Sequence, residues 1–404
     1  MQPYYENKLG TLYQGDCKDV LSFHENNSVD AVVTDPPYGY KFMGKKWDYD
    51  VPSVEAWKEI LRVLKPGGHL LSFGGPRTYH RLAVAVEDAG FEIRDQIMWL
   101  YGSGFPKSQD VGKEIDKKLG NERQIVELKE TVPNIKANNY SNSQGKERLS
   151  ATKTIGNSEW EGWGTSIKPA HEPLCLARKP LQGTVASNVM EWGTGAVNVD
   201  GCRVGTTGGR NNGRNKDSDI YGDFGACKKI DYDKGRFPAN VIHDGSEEVV
   251  REFPEQQSGA MKKHYEYTNN SACYGKPAGN TRQLHEANAG SAARFFKCCT
   301  FDDEDLESFS RVYYCAKASP SERGKYNTWP TVKPKSLIRY LINMITPPGG
   351  VVLDPYLGSG TTIRVCQELG IKWLAVEKEK EAIDIALKRI KEPRQMSLME
   401  MCEI

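Results

Sequence analysis

Residues 8 to 102 alternate short apolar runs with amphipathic stretches, and this alternation restricts the fold more than any other feature of the chain. KLGTLYQGD (8–16) reads as a strand closing on Gly15 and Asp16, and CKDVLSFHE (17–25) as a short helix. In VDAVVTDPPYGY (29–40), Val29, Ala31, Val32 and Val33 suit a fully buried strand. The two prolines must end it, because proline cannot donate to a ladder and restricts the residue before it. VPSVEAWKEILRVLKPGG (51–68) places Val54, Trp57, Ile60, Leu61 and Leu64 on one helical face ahead of a Pro-Gly-Gly stop. HLLSFGG (69–75) is then a buried strand, PRTYHRLAVAVEDAG (76–90) a helix and FEIRDQIMWLYG (91–102) a strand. This spacing predicts an α/β fold with a parallel, doubly wound sheet. Ligands bind such sheets at the carboxyl ends of strands, where Asp35 and Tyr38 fall.

The pattern decays after Gly102 and resumes at PKSLIRYLINMITPPGG (334–350), followed by another βαβα pair over 351–390. Between them, residues 120–165 are polar, with NNYSNSQG and few apolar anchors, and read as a mobile insertion. HEPLCLARKPL (171–181) returns to strand character and is expected to join the core sheet. One discontinuous domain of residues 1–104 and 325–404 is therefore predicted, with an irregular α+β region, 105–324, inserted into it. Lys plus Arg number 54 against 53 Asp plus Glu, so any basic surface must be local. No run of eighteen apolar residues and no signal-peptide pattern occurs, which predicts a soluble intracellular protein with no membrane partner. Ten cysteines without a repeating spacing read as reduced thiols.

A second candidate site lies in VVLDPYLGSGTT (351–362), a buried strand ending in Asp354, a turn with Gly358, Ser359 and Gly360, and a helix opened by Thr361 and Thr362. Glycines let backbone approach a ligand, and a helix amino end offers free N–H groups. Twenty-three positions after Asp354 the strand KWLAV ends in Glu377, placed to hydrogen-bond the ribose of an adenosine-containing cofactor. A tight turn packing helix on sheet is the alternative, since short glycine motifs match by chance.

Taken together, GDC (15–17), TDPPY (34–38), LRVLKPGGHLLSFGG (61–75), PTVKP (330–334) and LDPYLGSGTT (353–362) resemble the amino-group DNA methyltransferases that use S-adenosylmethionine. The order of blocks resembles the β group, and the likeness covers about half the chain. Tyr356 stands where the family usually has Phe, and Trp329 where it often has His. The resemblance implies a Rossmann-like methyltransferase sheet with a target-recognition region inserted. It implies catalytic roles for Asp35, Pro36, Pro37 and Tyr38, and places Asp16, Cys17, Asp35, Lys333, Asp354, Pro355, Tyr356, Gly358, Ser359, Gly360, Thr361 and Glu377 around S-adenosylmethionine. It further implies double-stranded DNA as partner and a cytoplasmic, nucleoid-associated setting in a prokaryote or its phage. A cognate restriction nuclease, and monomer against homodimer, stay open. An Asp before Pro-Pro-Tyr leans towards adenine N6 within the family, and a Ser towards cytosine N4.

The chemistry accounts for the acid and the prolines. An exocyclic amino nitrogen is a poor nucleophile because its lone pair is delocalised into the ring. A carboxylate accepting one N–H, and the Pro36 carbonyl accepting the other, favour a pyramidal nitrogen facing the methyl donor. Tyr38 supplies a face on which an extruded base can stack. Methylation at cytosine carbon 5 needs a cysteine nucleophile, directly after proline in that family, and no cysteine here follows a proline. A silent nucleic-acid-binding relative is disfavoured because Asp35, Tyr38 and the glycine turn are all present. A dehydrogenase is disfavoured because the turn lacks GxGxxG order.

Other candidates carry bland alternatives. Lys333 could be a solvated lysine at a helix start, and Asp16 a helix cap. Arg203, Arg210, Arg214 and Lys216 could follow a phosphate backbone or lie in a flexible loop. His264, Cys273, His285, Cys298 and Cys299 match no compact ligand spacing, so no metal is expected.

Overall fold

In the computed structural model, residues 1–41, 46–102, 104, 108–128, 152–205, 235–258, 288–299 and 332–391 are described. Contacts divide the chain into two units, residues 1–103 with 170–404 and residues 104–169. The amino-terminal run is β1 (Tyr5–Glu6), β2 (Gly10–Gln14), α1 (Cys17–Leu21), β3 (Val29–Thr34), α2 (Val54–Val63), β4 (Leu64–Phe73), α3 (Tyr79–Asp88) and β5 (Glu92–Leu100). Residues 104–169 hold α4 (Val111–Leu119), β6 (Gln124–Leu128) and β7 (Thr152–Ile155). Then follow β8 (His171–Arg178), α5 (Val185–Trp192), β9 (Val241–His243), α6 (Glu247–Val250), β10 (Glu255–Ser258), β11 (Asn288–Ser291) and β12 (Lys297–Cys298). The carboxyl part is α7 (Lys335–Ile345), β13 (Val351–Asp354), α8 (Thr361–Leu369), β14 (Lys372–Glu377) and α9 (Lys380–Lys391).

A ten-stranded sheet runs in the order β1-β2-β14-β13-β3-β4-β8-β5-β9-β12. Sheet order thus departs from chain order, and β13 from the carboxyl part pairs in parallel with β3 from the amino part. The sheet takes three strands, β8, β9 and β12, from the 105–324 region, where the sequence led us to expect one. It is also not wholly parallel, because β8 runs antiparallel to both β4 and β5. Its amino end therefore reaches the edge where β3, β4 and β13 present their carboxyl ends.

Successive side chains of each strand feed opposite layers, as a strand's period of two requires. Ala31, Val33, Leu71, Val352 and Ala375 join the cluster containing Leu337, Leu341 and Ile363 of α7 and α8. Val32, Leu70, Leu353 and Leu374 join Trp57, Ile60, Leu82 and Val86 of α2 and α3 on the other face. Each fully buried side chain of this size contributes about 1.5–3 kcal/mol, so both layers anchor the strands that carry the site.

The expected Pro-Gly-Gly helix stop is displaced. α2 already ends at Val63, and Lys65-Pro66-Gly67-Gly68 lie within β4. Gly67 adopts φ +75°, and a Cβ there would lie 2.4 Å from Asn188 Nδ2. That amide donates to the Pro66 and Thr194 carbonyls, so the segment is fixed by α5 instead of ending in a free turn.

Residues 129–151 of the stretch expected to be a mobile insertion, with NNYSNSQG, lie outside the described residues, and the described part of 104–169 holds a charged cluster. Asp116 is fully buried and is held by the Arg123 guanidinium and the Asn121 amide. Arg123 also pairs with Glu161 at 2.8 Å. Among the described residues no helix is long and apolar enough to cross a membrane.

Candidate active site

β3 ends at Thr34 and delivers Asp35, Pro36, Pro37 and Tyr38 to the carboxyl edge of the sheet. The Asp35 carboxylate is 22% exposed. Its Oδ1 accepts from the Tyr38 hydroxyl at 2.8 Å, and its Oδ2 accepts from the Lys333 ammonium. Lys333, just before α7, is 3% exposed, which excludes the solvated-lysine alternative. Burial pulls the Lys333 ammonium below its ordinary pKa, against the opposing pull of Asp35 and Asp354. The Phe73 ring lies 4.5 Å from its Nζ.

A second carboxylate completes this cluster. Glu172, delivered by the amino end of antiparallel β8, is buried, 3.6 Å from Lys333 Nζ and 3.3 Å from the Tyr38 hydroxyl. Burial and the adjacent Asp35 charge raise Tyr38 well above an ordinary tyrosine, so its hydroxyl keeps its proton and donates. Sequence reasoning missed Glu172, although a lone acid inside the apolar run of HEPLCLAR was a usable signal. It also missed Asp48. That buried side chain accepts from the backbone N–H groups of Tyr38 (2.7 Å), Gly39 (3.0 Å) and Tyr40 (3.1 Å), fixing the chain directly after the proline pair. The Thr78 hydroxyl donates to the Tyr38 carbonyl at 2.6 Å, closing the loop from the other side.

Asp354 ends β13 and is buried. It accepts from the Thr34 hydroxyl at 2.8 Å and the Tyr356 N–H at 3.2 Å, yet burial outweighs these bonds and raises its pKa to about 6. A group raised in this way favours folding below about pH 4, and that contribution is lost as pH rises through about 6. Asp354→Asn should therefore gain stability relative to the parent, by roughly 3 kcal/mol, between pH 4 and pH 7. Urea unfolding of both proteins across that range checks this. A stability difference that stays flat with pH would contradict it.

The glycine turn follows Pro355 and half-buried Tyr356. Gly358 and Gly360 adopt φ +55° and +84°, and a Cβ on Gly360 would lie 2.8 Å from the Ala386 Cβ. The buried Arg389 of α9 donates to the Ser359 carbonyl and to the Ser359 and Thr361 hydroxyls at 2.7–3.1 Å. Glu377, at the end of β14, accepts from the Gly358, Lys378 and Glu379 N–H groups at 2.7–2.8 Å. Its carboxylate thus braces the turn from within the fold, and burial raises its pKa.

A cleft lined by Asp35, Lys333, Asp354, Tyr356, Gly358, Ser359, Thr361 and Thr362 brings the two sequence sites together. Asp16 caps α1 and lies 3.4 Å from Lys378 Nζ. Cys17 donates to the Tyr356 hydroxyl at 3.2 Å, and burial pushes its thiol up to about 11, so it packs and does not act as a thiolate. Arg203 lies apart from this cleft, while Arg210, Arg214 and Lys216 fall outside the described residues, as do His264, Cys273 and His285. Cys298 is exposed and Cys299 buried.

A family model described as a DNA methylase, of the N6/N4 methyltransferase type, matches residues 29–388. The chain belongs to the N6/N4 DNA methylase family. Over 62 residues, 15% of this chain and 17% of the relative, it is 44% identical to the type II methyltransferase M.HinfI of Haemophilus influenzae. Over 61 residues, 15% of this chain and 23% of the relative, it is 43% identical to the type II methyltransferase M2.DpnII of Streptococcus pneumoniae. The matched stretches thus span about a fifth of those curated relatives. Among solved structures it aligns with the M1.HpyAVI–SAM complex (TM-score 0.40, 16% identity, 94% of this chain and 100% of that one). It also aligns with PvuII DNA methyltransferase, cytosine-N4-specific (TM-score 0.44, 13% identity, 100% of this chain and 93% of that one). In this member of the family, then, Asp35-Pro36-Pro37-Tyr38 and the Gly358–Gly360 turn follow the adjacent parallel strands β3 and β13 at one edge of one sheet, with Lys333 paired to both Asp35 and Glu172.

Proposed function

We propose that the protein transfers the methyl group of S-adenosylmethionine to adenine N6 in double-stranded DNA, at a specific site and after the base leaves the stack. The observation that carries this reading is the single cleft running from Asp35 to the glycine turn and Thr362. Its residues fit the cofactor. The turn at Gly358 and Gly360 presents backbone without side chains, Asp354 is an acid facing the cleft that suits a sulfonium, and Lys333 is a cation suited to a carboxylate. When bound, S-adenosylmethionine supplies an electrophilic methyl group.

The chain's own residues then position the nucleophile. Each carboxylate oxygen has two acceptor sites, so Asp35 can accept an amino N–H while it still holds Lys333 and Tyr38. The Pro36 carbonyl, fixed between two restricted φ angles, accepts the other N–H. Asp48 and Thr78 hold the Tyr38 backbone, and its half-buried ring is the face against which the extruded base would stack. The transfer needs no covalent enzyme intermediate, because position and electrostatics carry the rate.

Labelled S-adenosylmethionine and mixed duplex DNA should yield labelled N6-methyladenine on nucleoside mass spectrometry. Adenine is chosen over cytosine because Asp, not Ser, precedes Pro-Pro-Tyr. Label in N4-methylcytosine would keep the mechanism and reverse the base, whereas label only in RNA or protein would overturn the substrate class.

Tyr38 separates two contributions. Tyr38→Phe keeps the ring and loses the hydroxyl bonds to Asp35 and Glu172, an expected loss of about tenfold in kcat. Tyr38→Ala also loses stacking worth about 1–3 kcal/mol and should fall roughly a further ten- to hundredfold. Equal activity in the two variants would remove stacking from the account.

A further inference from the structure

A second pocket lies beside the last strands of the sheet, lined among others by Arg203, Gly205, His243, Arg294, Lys297 and Cys298. Three of its lining side chains carry permanent positive charge, and none of them is acidic. Arg236 adjoins it, since the Arg236 and Arg294 guanidiniums each lie 4.6 Å from the Phe295 ring centroid. Among the described residues two acids lie beside the group, Asp200 and Asp244, and they leave a surplus of two positive charges over Arg203, Arg236, Arg294 and Lys297. Asp200 pairs with Arg203 at 2.9 Å but is 60% exposed, on the solvent side. Asp244 accepts from the Gly102 and Ser246 N–H groups and the Ser246 hydroxyl, which fixes its carboxylate beside His243 without cancelling its charge. Arg294 donates to the Gly290, Ser291 and Gln256 carbonyls, which fixes its guanidinium without cancelling its charge. Lys297 rests 5.1 Å from the Tyr340 ring centroid and is half-buried. Crowding cations in this way is unfavourable unless an anion joins them.

We infer that this pocket holds a backbone phosphate of the DNA flanking the target base, an inference that rests on the function proposed above. β9 and β12 run parallel to β5, so His243 and Cys298 close strands at the same edge that carries Asp35. Four strand positions separate β3 from β9 in the sheet order, roughly 19 Å at about 4.8 Å per strand. At about 3.4 Å of rise per base pair, that span corresponds to roughly five or six pairs, within the footprint of a bound duplex. A phosphate contact of this kind sets register and affinity and does not read sequence.

Lys297→Gln removes one charge from the pocket without touching the Asp35 cleft. Duplex binding followed by fluorescence anisotropy against salt should lose about 0.9 from the slope of log K on log salt. A fourfold rise in salt should then weaken the variant roughly 3.5-fold less than the parent. The loss of affinity should be equal for duplexes of different sequence, S-adenosylmethionine binding by calorimetry should be unchanged, and Lys297→Arg should restore the slope. An unchanged slope in a folded Lys297→Gln protein that still binds and methylates DNA would overturn the phosphate site alone. A parent protein that binds no duplex would overturn the proposed function with it. A change confined to single-stranded RNA competitors would assign the pocket to a different nucleic acid and also overturn the inference.

Discussion

Asp35→Ala is expected to lower kcat for methyl transfer by at least about 10³-fold while S-adenosylmethionine binds within a few-fold of the parent affinity. The carboxylate acts on the amino nitrogen only as charge develops there, so its removal raises the barrier without removing cofactor contacts made by the glycine turn. The fold should survive the change. Lys333 keeps Glu172 as a counter-charge 3.6 Å away, and the Tyr38 hydroxyl keeps an acceptor in the same Glu172 carboxylate. Single-turnover transfer of labelled methyl, beside calorimetry for the cofactor, separates the two effects. Turnover retained in Asp35→Ala would sink the mechanism, whereas joint loss of turnover and cofactor binding would move Asp35 from the nucleophile to the cofactor.

The parts of this site that could be read from sequence are those whose placement is local. Asp35 and Asp354 each follow an apolar run that can only be a buried strand, so their position at a strand end needs no knowledge of the rest of the chain. Gly358 and Gly360 announce a turn by composition, and the structure adds that Gly360 also admits the close approach of Ala386. Glu172 belongs to another kind of fact. Its run reads as a strand, but its meeting with Asp35 depends on β8 entering the sheet antiparallel between β4 and β5, which is a long-range choice. Asp48 is similar, since three N–H groups it accepts lie eight to ten residues back and converge only once the loop is closed. The same limit applies to the described part of residues 104–169, where the buried Asp116 and half-buried Arg123 supply an anchor that an apolar-pattern reading does not register. The direction of β8 was therefore the decision from which the unforeseen second carboxylate of the site followed.

Lys333→Met should destabilise the protein by about 3–5 kcal/mol, the cost of removing one partner from a buried ion cluster. In the parent, one ammonium with a 3% exposed side chain sits between Asp35 and an equally buried Glu172. Methionine keeps an unbranched side chain of nearly the length of the lysine stem and carries no charge, so the loss is mainly electrostatic. Two carboxylates would then share a low-dielectric site with no cation between them. Glu172→Gln in the Lys333→Met background removes one of those charges, and the double variant should therefore be more stable than Lys333→Met alone. Glu172→Gln on its own should cost less than Lys333→Met, because Lys333 still has Asp35. Urea unfolding of the parent, the two single variants and the double variant gives the coupling energy directly. If Lys333→Met costs less than about 1 kcal/mol, or if the double variant is no more stable than Lys333→Met, then Lys333 is not what holds the two acids together at the edge of the sheet.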